Sequence, residues 1–161
     1  MIKEEKQKLR EKIWKLMEEK NIARFPLPCF GRIPNFEGSE KAAEKLVELD
    51  EWKKAKIIVA NPDAAQQKVR ELALKSGKLL IMASPRLRRG YIEISPENVK
   101  GKEKFASTIK GAFRYGKIIE EPPKPDLIIT GCVAVSSLTG YRLGKGGGYG
   151  DREINIIKNK Y

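Results

Sequence analysis

The sequence predicts an α/β fold, in a three-layer α/β/α arrangement around a mostly parallel sheet. Short apolar runs at 57–60 and 79–82 flank a stretch with helical spacing, which is the pattern of a β-α-β unit. A third apolar run follows at 126–130. With 161 residues, 40% of them hydrophobic, the chain can build one core, so we predict a single domain over 1–161.

The first predicted element is an amphipathic helix over residues 4–20. Its apolar residues recur at helical spacing and form one face: Leu9, Ile13, Trp14, Leu16 and Met17. Lys6 and Arg10 lie inside or beside this face, so both cations are expected to point towards the body of the protein. Their stems can cover the core while their charged heads reach water, or the two cations can bind an anion.

An irregular but packed connection is predicted for residues 21–38, which combine prolines and glycines with three phenylalanines. Ser39 is the predicted N-cap of a second helix. The apolar side of that helix consists of Ala42, Ala43, Leu46, Val47 and Leu49. In the β-α-β unit that follows, Asp63 can cap the connecting helix and Gly77 can end it.

Three arginines follow the second strand, at the carboxyl edge where ligands of open α/β sheets bind: Arg86, Arg88 and Arg89. They can meet an anion, or they can belong to a solvated loop. A short helix is predicted near 105–113, before the strand at 126–130. Residues 131–135 either continue that strand or start another one.

The composition excludes several kinds of protein. The chain has no histidine, which removes serine–histidine and cysteine–histidine nucleophilic pairs and the commonest metal ligand. Cys29 and Cys132 are isolated in the sequence, so they predict neither a CxxC motif nor a disulfide framework. No apolar run is long enough to cross a bilayer and the N-terminus is charged, so we expect a cytoplasmic protein without membrane contact.

The net charge of +12 attracts phosphates, nucleotides and nucleic acids alike. The same charge can also belong to a solvated surface of the kind found in thermophilic proteins. Charge therefore does not choose a ligand by itself.

The segment with the strongest local bias is 140–152, GYRLGKGGGYGDR, which contains six glycines and three cations. Glycines let several backbone N–H groups converge on one phosphate, and a helix predicted to begin near Asp151 adds its positive end. Lys145 and Arg142 supply full charges, and Asp151 supplies an oxygen suited to Mg²⁺. The segment matches neither the P-loop nor the dinucleotide-binding fingerprint, and a mobile surface loop is the alternative.

Residues 142–152, RLGKGGGYGDR, resemble the RLGxGxGYYDR signature of the 5-formyltetrahydrofolate cyclo-ligase family. Lys6 and Arg10, in the stretch KQKLR, are similar to the family's opening KxxLR motif, whose basic residues meet ATP phosphates across from the glycine-rich segment. Residues 31–38 and 85–88 look like a divergent branch, the methenyltetrahydrofolate synthetase domain-containing proteins. The resemblance spans nearly the whole chain in order, and the two basic motifs are its specific part.

This resemblance implies ATP-dependent closure of 5-formyltetrahydrofolate to 5,10-methenyltetrahydrofolate, with release of ADP and phosphate. It implies that ATP and a reduced folate are the partners, that Lys145 and Arg142 act on the transferring phosphoryl group, and that Asp151 holds Mg²⁺. The implied ATP-binding residues are Lys6, Arg10, Arg142, Leu143, Gly144, Lys145, Gly146, Gly147, Gly148, Tyr149 and Gly150. Tyr149 can pack on a ring of either ligand, or it can anchor the loop to the core.

The chain departs from the family pattern in three places. Gly150 replaces the second tyrosine of the signature, and residues 61–66 show no evident match to the glutamate that approaches the folate. The sequence also ends without the family's later strands and their His–Asp pair, so we expect a sheet that is short at its C-terminal side, in a monomer or a homodimer. The alternatives to catalysis are nucleotide or phosphate binding without turnover, and weak RNA binding through the basic surface.

Overall fold

The N-terminal part of the chain is a helix followed by a packed connection. The computed structural model describes residues 2–146, 154 and 157–159, without the side chain of Arg86, and has helix α1 over Ile2–Glu19. Inside the connection, strands β1 (Ala23–Arg24) and β2 (Asn35–Phe36) pair antiparallel. Ile13, Trp14 and Met17 of α1 pack against this connection around a small buried cluster of Trp14, Ala23, Cys29 and Val133. Leu9 and Leu16 are exposed, so their predicted place on the packed face is wrong. The prediction of an irregular but packed connection is confirmed.

The second predicted helix is interrupted. It consists of α2 (Ser39–Leu46) and a separate short helix α3 (Asp50–Lys54). Gly38 is the N-cap of α2, with a φ of 92°, and no side chain caps this helix, so the prediction of Ser39 as N-cap is wrong. Glycine takes this left-handed conformation without the steric penalty that a side chain would bring. Leu49 lies between the two helices and is half exposed, so its predicted place on the buried face is also wrong.

The central sheet contains five strands among the described residues. They are β3 (Ile57–Ala60), β4 (Leu79–Ala83), β5 (Tyr91–Ile94), β6 (Lys117–Ile119) and β7 (Leu127–Ile128). Their spatial order is β6-β5-β4-β3-β7. β3 pairs parallel with β4 and β7, whereas β5 pairs antiparallel with β4 and β6. The α/β class is confirmed. The sheet is mixed because β5 pairs antiparallel with β4 and β6, and these two strands, β5 and β6, were not predicted from the sequence.

Helices cover one face of the sheet. They are α4 (Gln67–Lys75), α5 (Glu103–Ala106) and α6 (Ile109–Tyr115), and the last two replace the single helix predicted near 105–113. Ile58 and Leu80 point into this helical layer, whereas Val59 and Ile81 point to the other face, where Ile157 packs. Because β3 and β4 are buried on both faces, they appear in the sequence as continuous apolar runs. The arrangement is consistent with three α/β/α layers.

A second small ladder follows the sheet. It pairs β8 (Ala134–Val135) with β9 (Arg142–Leu143) in antiparallel orientation. Residues 131–135 therefore start a new strand and do not continue β7. Of the helices that the structure describes, none combines the length and the apolar character needed to cross a membrane.

Candidate functional site

A cavity of about 990 Å³ opens beyond the carboxyl ends of β3, β4 and β7. Each of these strands sends the loop that follows it to the cavity: residues 61–63 after β3, Ser84, Pro85 and Leu87 after β4, and Gly131 after β7. Helix α1 and the segment that begins with β9 also line it. Since ligands of open α/β sheets bind at this edge, the cavity is the candidate site.

The described part of the glycine-rich signature lies entirely along this cavity. The lining residues from this segment are Arg142, Leu143, Gly144, Lys145 and Gly146. The backbone N–H of Val133 donates to Leu143 O over 2.7 Å and secures the start of the segment. Gly146 has a φ of +117°, and a Cβ on Gly144 would meet no atom of the described residues within 4 Å. The segment thus presents an open backbone and two cations to the cavity, which suits a phosphate.

Lys6 and Arg10 of α1 both line the cavity, in the direction that the helical face predicts. The half-buried guanidinium of Arg10 donates from Nε to Gly144 O over 2.7 Å. Its Nη1 donates to Gln7 Oε1 over 3.2 Å, whereas Lys6 is exposed. Arg10 therefore joins α1 to the glycine-rich segment, a role beyond covering the core with its stem.

The remainder of the signature lies outside the described residues. It comprises Gly147, Gly148, Tyr149, Gly150, Asp151 and Arg152. The assignment of residues 147–150 to ATP, and that of Asp151 to Mg²⁺, stay predictions. Within residues 2–146, 154 and 157–159, no group of three or more histidine, cysteine, aspartate or glutamate side chains could hold a metal ion.

Asp63 is the site residue that the sequence analysis did not identify. Its side chain does not cap the turn Ala64–Gln66, contrary to the prediction, and lines the cavity instead. Its Oδ1 is buried and has no hydrogen-bond partner within the described part of the chain. Burial raises the pKa of this carboxyl to about 6, although the charges of Arg70 and Lys145 oppose the shift. A buried carboxylate oxygen without a donor is costly, so this group is suited to a ligand that brings one.

Gly131 leaves room for the Asp63 carboxylate. A Cβ at position 131 would lie 2.6 Å from Asp63 Oδ2 and 2.7 Å from Ile33 Cγ2. The backbone N–H of Gly131 also donates to Asn61 Oδ1 over 2.9 Å. The loop after β7 therefore packs directly on the loop after β3, and only a glycine fits at their contact.

Arg70 of α4 holds the loop after β3 in place. Its buried guanidinium donates to three main-chain carbonyls: Asn61 O at 2.7 Å, Asp63 O at 2.7 Å and Ser107 O at 2.8 Å. Burial lowers the pKa of Arg70 to about 10, opposed by the charge of Asp63, so the guanidinium stays charged at neutral pH. Because these bonds go to carbonyls, Arg70 anchors the backbone at Asp63 and leaves the Oδ1 of the carboxylate without a donor.

Two of the arginines after β4, Arg88 and Arg89, lie outside the cavity lining. Arg88 and Arg89 are exposed and are not among the residues that line the cavity. The guanidinium of Arg89 lies over the ring of Phe113, 5.7 Å from its centroid, in a cation–π contact. The side chain of Arg86 lies outside the described part of the structure. For Arg88 and Arg89 the solvated-loop interpretation is the one that the geometry favours.

Fold and site together define a class of protein: an α/β protein whose sheet edge carries a cavity faced by cations, a glycine-rich segment and a carboxylate. The sequence profile of the 5-formyltetrahydrofolate cyclo-ligase family matches residues 2–161. The chain belongs to this family, as its two basic motifs indicated.

Three curated relatives share the name methenyltetrahydrofolate synthase domain-containing protein. The chain is 42% identical to the Bos taurus protein over 157 residues, which cover 94% of the chain and 41% of that protein. It is 40% identical to the Mus musculus protein and 39% identical to the Homo sapiens protein, over 94% of the chain and 42% and 41% of those proteins. The predicted branch is confirmed, and the chain spans about two fifths of the length of these relatives.

Proposed function

We propose that this chain catalyses the ATP-dependent closure of 5-formyltetrahydrofolate to 5,10-methenyltetrahydrofolate, with release of ADP and phosphate. The observation that supports this most is that one cavity combines two different walls. One wall is cationic and rich in glycine at 142–146, and the other carries Asp63, whose Oδ1 has no hydrogen-bond partner among the described residues. A reaction between a triphosphate and a substrate with N–H groups needs both kinds of wall in one place. The family to which the chain belongs is named for a cyclo-ligase.

The cationic wall holds the phosphates. Lys145 and Arg142 neutralise the transferring phosphoryl group, Lys6 adds a charge from α1, and the open backbone of the glycine-rich segment donates N–H groups. Arg10 positions this segment through its bond to Gly144 O. Asp151 is the proposed ligand of Mg²⁺, which neutralises phosphate charge when bound. Phosphoryl transfer depends mainly on positioning and electrostatics, and these residue types supply both.

The carboxylate wall holds the folate. Asp63 Oδ1 accepts a hydrogen bond from an N–H group of the substrate, which removes the cost of the unpaired oxygen. The formyl oxygen takes the γ-phosphoryl group of ATP, and the N10 amine then attacks the activated formyl carbon. N10 loses its proton, and the former formyl oxygen leaves with the phosphate. The ring closes without any nucleophile from the protein, which agrees with a chain that has no histidine.

Turnover is tested by the absorbance of methenyltetrahydrofolate after the purified protein is mixed with 5-formyltetrahydrofolate, Mg²⁺ and ATP. We expect the absorbance to grow with ATP and to stay flat in a control without it. A flat trace in which ATP still raises the melting temperature would identify a nucleotide-binding protein without this chemistry. A flat trace with no change in melting temperature would remove the nucleotide site as well.

A further inference from the structure

Phe25 is a large apolar side chain that the fold leaves uncovered at the cavity. It is 81% exposed, and it lines the cavity together with Pro26, Arg32 and Ile33. In the same connection Cys29 is completely buried, whereas Leu27 and Phe30 are about half exposed, so Phe25 is its most exposed large apolar side chain. A single exposed phenylalanine is ordinary on a protein surface. Phe25 differs because it lies in the wall of the candidate site, where a bound ligand can contact it.

The backbone at Phe25 is held in place. Asn35 Nδ2 donates to Phe25 O over 2.9 Å, and the preceding residue, Arg24, pairs with Asn35 in the β1–β2 ladder. Arg24 also donates to Asn21 O over 2.7 Å and forms an ion pair with Glu37 at 3.3 Å. The aromatic ring is therefore presented to the cavity from a fixed backbone position. The backbone is already ordered before a ligand binds, and only the side-chain torsions of Phe25 remain to be fixed.

The cationic segment and the Asp63 carboxylate do not supply an aromatic contact for the face of a ligand ring. The segment at 142–146 offers cations and N–H groups, and Asp63 offers an unpaired oxygen. These groups bind phosphate charge or N–H groups, and among the described residues that line the cavity Phe25 is the aromatic one. Phe25 offers an aromatic face, and apolar lining continues at Pro26 and Ile33. Aromatic side chains bind the faces of planar rings through stacking and burial of apolar surface.

We propose that Phe25 stacks on a planar heteroaromatic ring of the bound ligand and determines the specificity of the site for that ring. The inference rests on the proposed function, which brings two ligands with such rings: the adenine of ATP and the pterin of the folate. Replacing a stacking aromatic side chain with alanine weakens ring binding by about five- to 150-fold in comparable sites. The contact belongs to binding, so it is measurable without turnover.

The test compares the wild type with Phe25→Ala, Phe25→Trp and a control, Leu138→Ala. Leu138 is also apolar and is 95% exposed, but it does not line the cavity. ATP with Mg²⁺ and 5-formyltetrahydrofolate are titrated separately by calorimetry. We expect Phe25→Ala to raise the dissociation constant of one of the two probes about tenfold. Phe25→Trp keeps an affinity near that of the wild type, and Leu138→Ala changes neither constant. The probe that loses affinity identifies the stacked ring.

Each other outcome counts against a stated part of the inference. Unchanged affinity of Phe25→Ala for both probes overturns the stacking contact. A loss that Phe25→Trp shares, or that Leu138→Ala reproduces, overturns it too, because a planar aromatic contact would not behave in this way. Binding of both probes without a methenyl product overturns the proposed function alone. A wild type that binds neither probe overturns both.

Discussion

The two walls of the cavity are built in different ways. The loop after β3 is held by two hydrogen bonds from the buried Arg70, whose third bond ties it to Ser107 O, and Asn61 and Gln66 add two more hydrogen bonds between them. In the part of the chain that the structure describes, the glycine-rich segment is joined to α1 by the bond from Arg10 to Gly144 O. The carboxylate wall is therefore preorganised, whereas the glycines of the cationic wall leave its backbone free to adapt.

The largest effect is expected from removing the anchor of the carboxylate wall. Arg70→Met leaves three main-chain carbonyls without their donor, and we expect the free energy of unfolding to fall by about 3–5 kcal/mol. Lys68→Met is the matched control on the same helix, because Lys68 makes only a partly exposed contact of 3.4 Å with Glu71. Its cost should stay below about 1 kcal/mol. Urea unfolding measures both, and equal losses would show that Arg70 does not hold this wall.

The Asp63 carboxyl is expected to make stability depend on pH. Its folded pKa of about 6 lies above the ordinary value of 3.8, so the folded state binds a proton more tightly than the unfolded chain. Its contribution to stability is therefore fully present below about pH 4 and is lost as pH rises through about pH 6. This change amounts to up to about 3 kcal/mol in the wild type, and Asp63→Asn removes it.

The measurement for Asp63 is a difference curve. Urea unfolding of the wild type and of Asp63→Asn at several values between about pH 4 and about pH 7 cancels the contributions of the other acids. We expect the wild type to lose stability relative to Asp63→Asn as the pH rises. A constant difference over this range would show that the folded pKa of Asp63 is not raised.

Substitutions in the cationic wall are expected to affect turnover more than stability. Lys145→Ala removes a charge that the proposed transition state needs, so kcat/KM should fall by about 100-fold. Because the Lys145 charge also opposes the raised pKa of Asp63, urea unfolding should show a small loss of stability, below about 1 kcal/mol. Lys8→Ala is the control, because Lys8 is an exposed cation of α1 that does not line the cavity. The absorbance of methenyltetrahydrofolate reports the rates. Turnover of Lys145→Ala at the level of Lys8→Ala would exclude the proposed role.

A smaller change in unfolding free energy is expected when one glycine of each wall is replaced with alanine. Gly131→Ala places a Cβ 2.6 Å from Asp63 Oδ2, so we expect a loss of about 1–3 kcal/mol of unfolding free energy. In Gly144→Ala the new Cβ meets no atom of the described residues within 4 Å, and stability should change by less than about 0.5 kcal/mol. Thermal or urea unfolding of the two variants gives the comparison. If Gly144→Ala caused the larger loss of stability, the cationic wall would be the more closely packed of the two.

Much of the fold could be predicted because its signals are local. The helical spacing on α1 and the apolar runs of β3, β4 and β7 follow from burial on one face or on both. Strands β5 and β6 escaped prediction because the charged residues Glu93 and Lys117 interrupt their apolar pattern. Their place in the sheet depends on their neighbour β4, which a local pattern does not reveal.

The candidate site was predictable in its cationic half. Lys6, Arg10 and residues 142–146 belong to motifs with biased composition, and all of them line the cavity. Asp63 could not be separated from a helix cap, because an aspartate just before a helical turn is typical of both roles. One signal in the sequence was Arg70, a charged residue that lies between Val69 and Ala73 on the buried side of α4. An arginine in that position indicates a buried polar network.

The amino-acid sequence by itself determined the α/β class, the order of the main elements and the membership in a family, because periodicity and motifs are properties of neighbouring residues. Only the tertiary structure decided that Asp63 and Lys145 face one cavity, where Oδ1 of the carboxylate has no hydrogen-bond partner within the part of the chain that the structure describes. It also decided that Phe25 stays uncovered beside them. The physical reason is that burial and pairing depend on which loops converge at the carboxyl edge of the sheet, and that convergence is set by long-range packing.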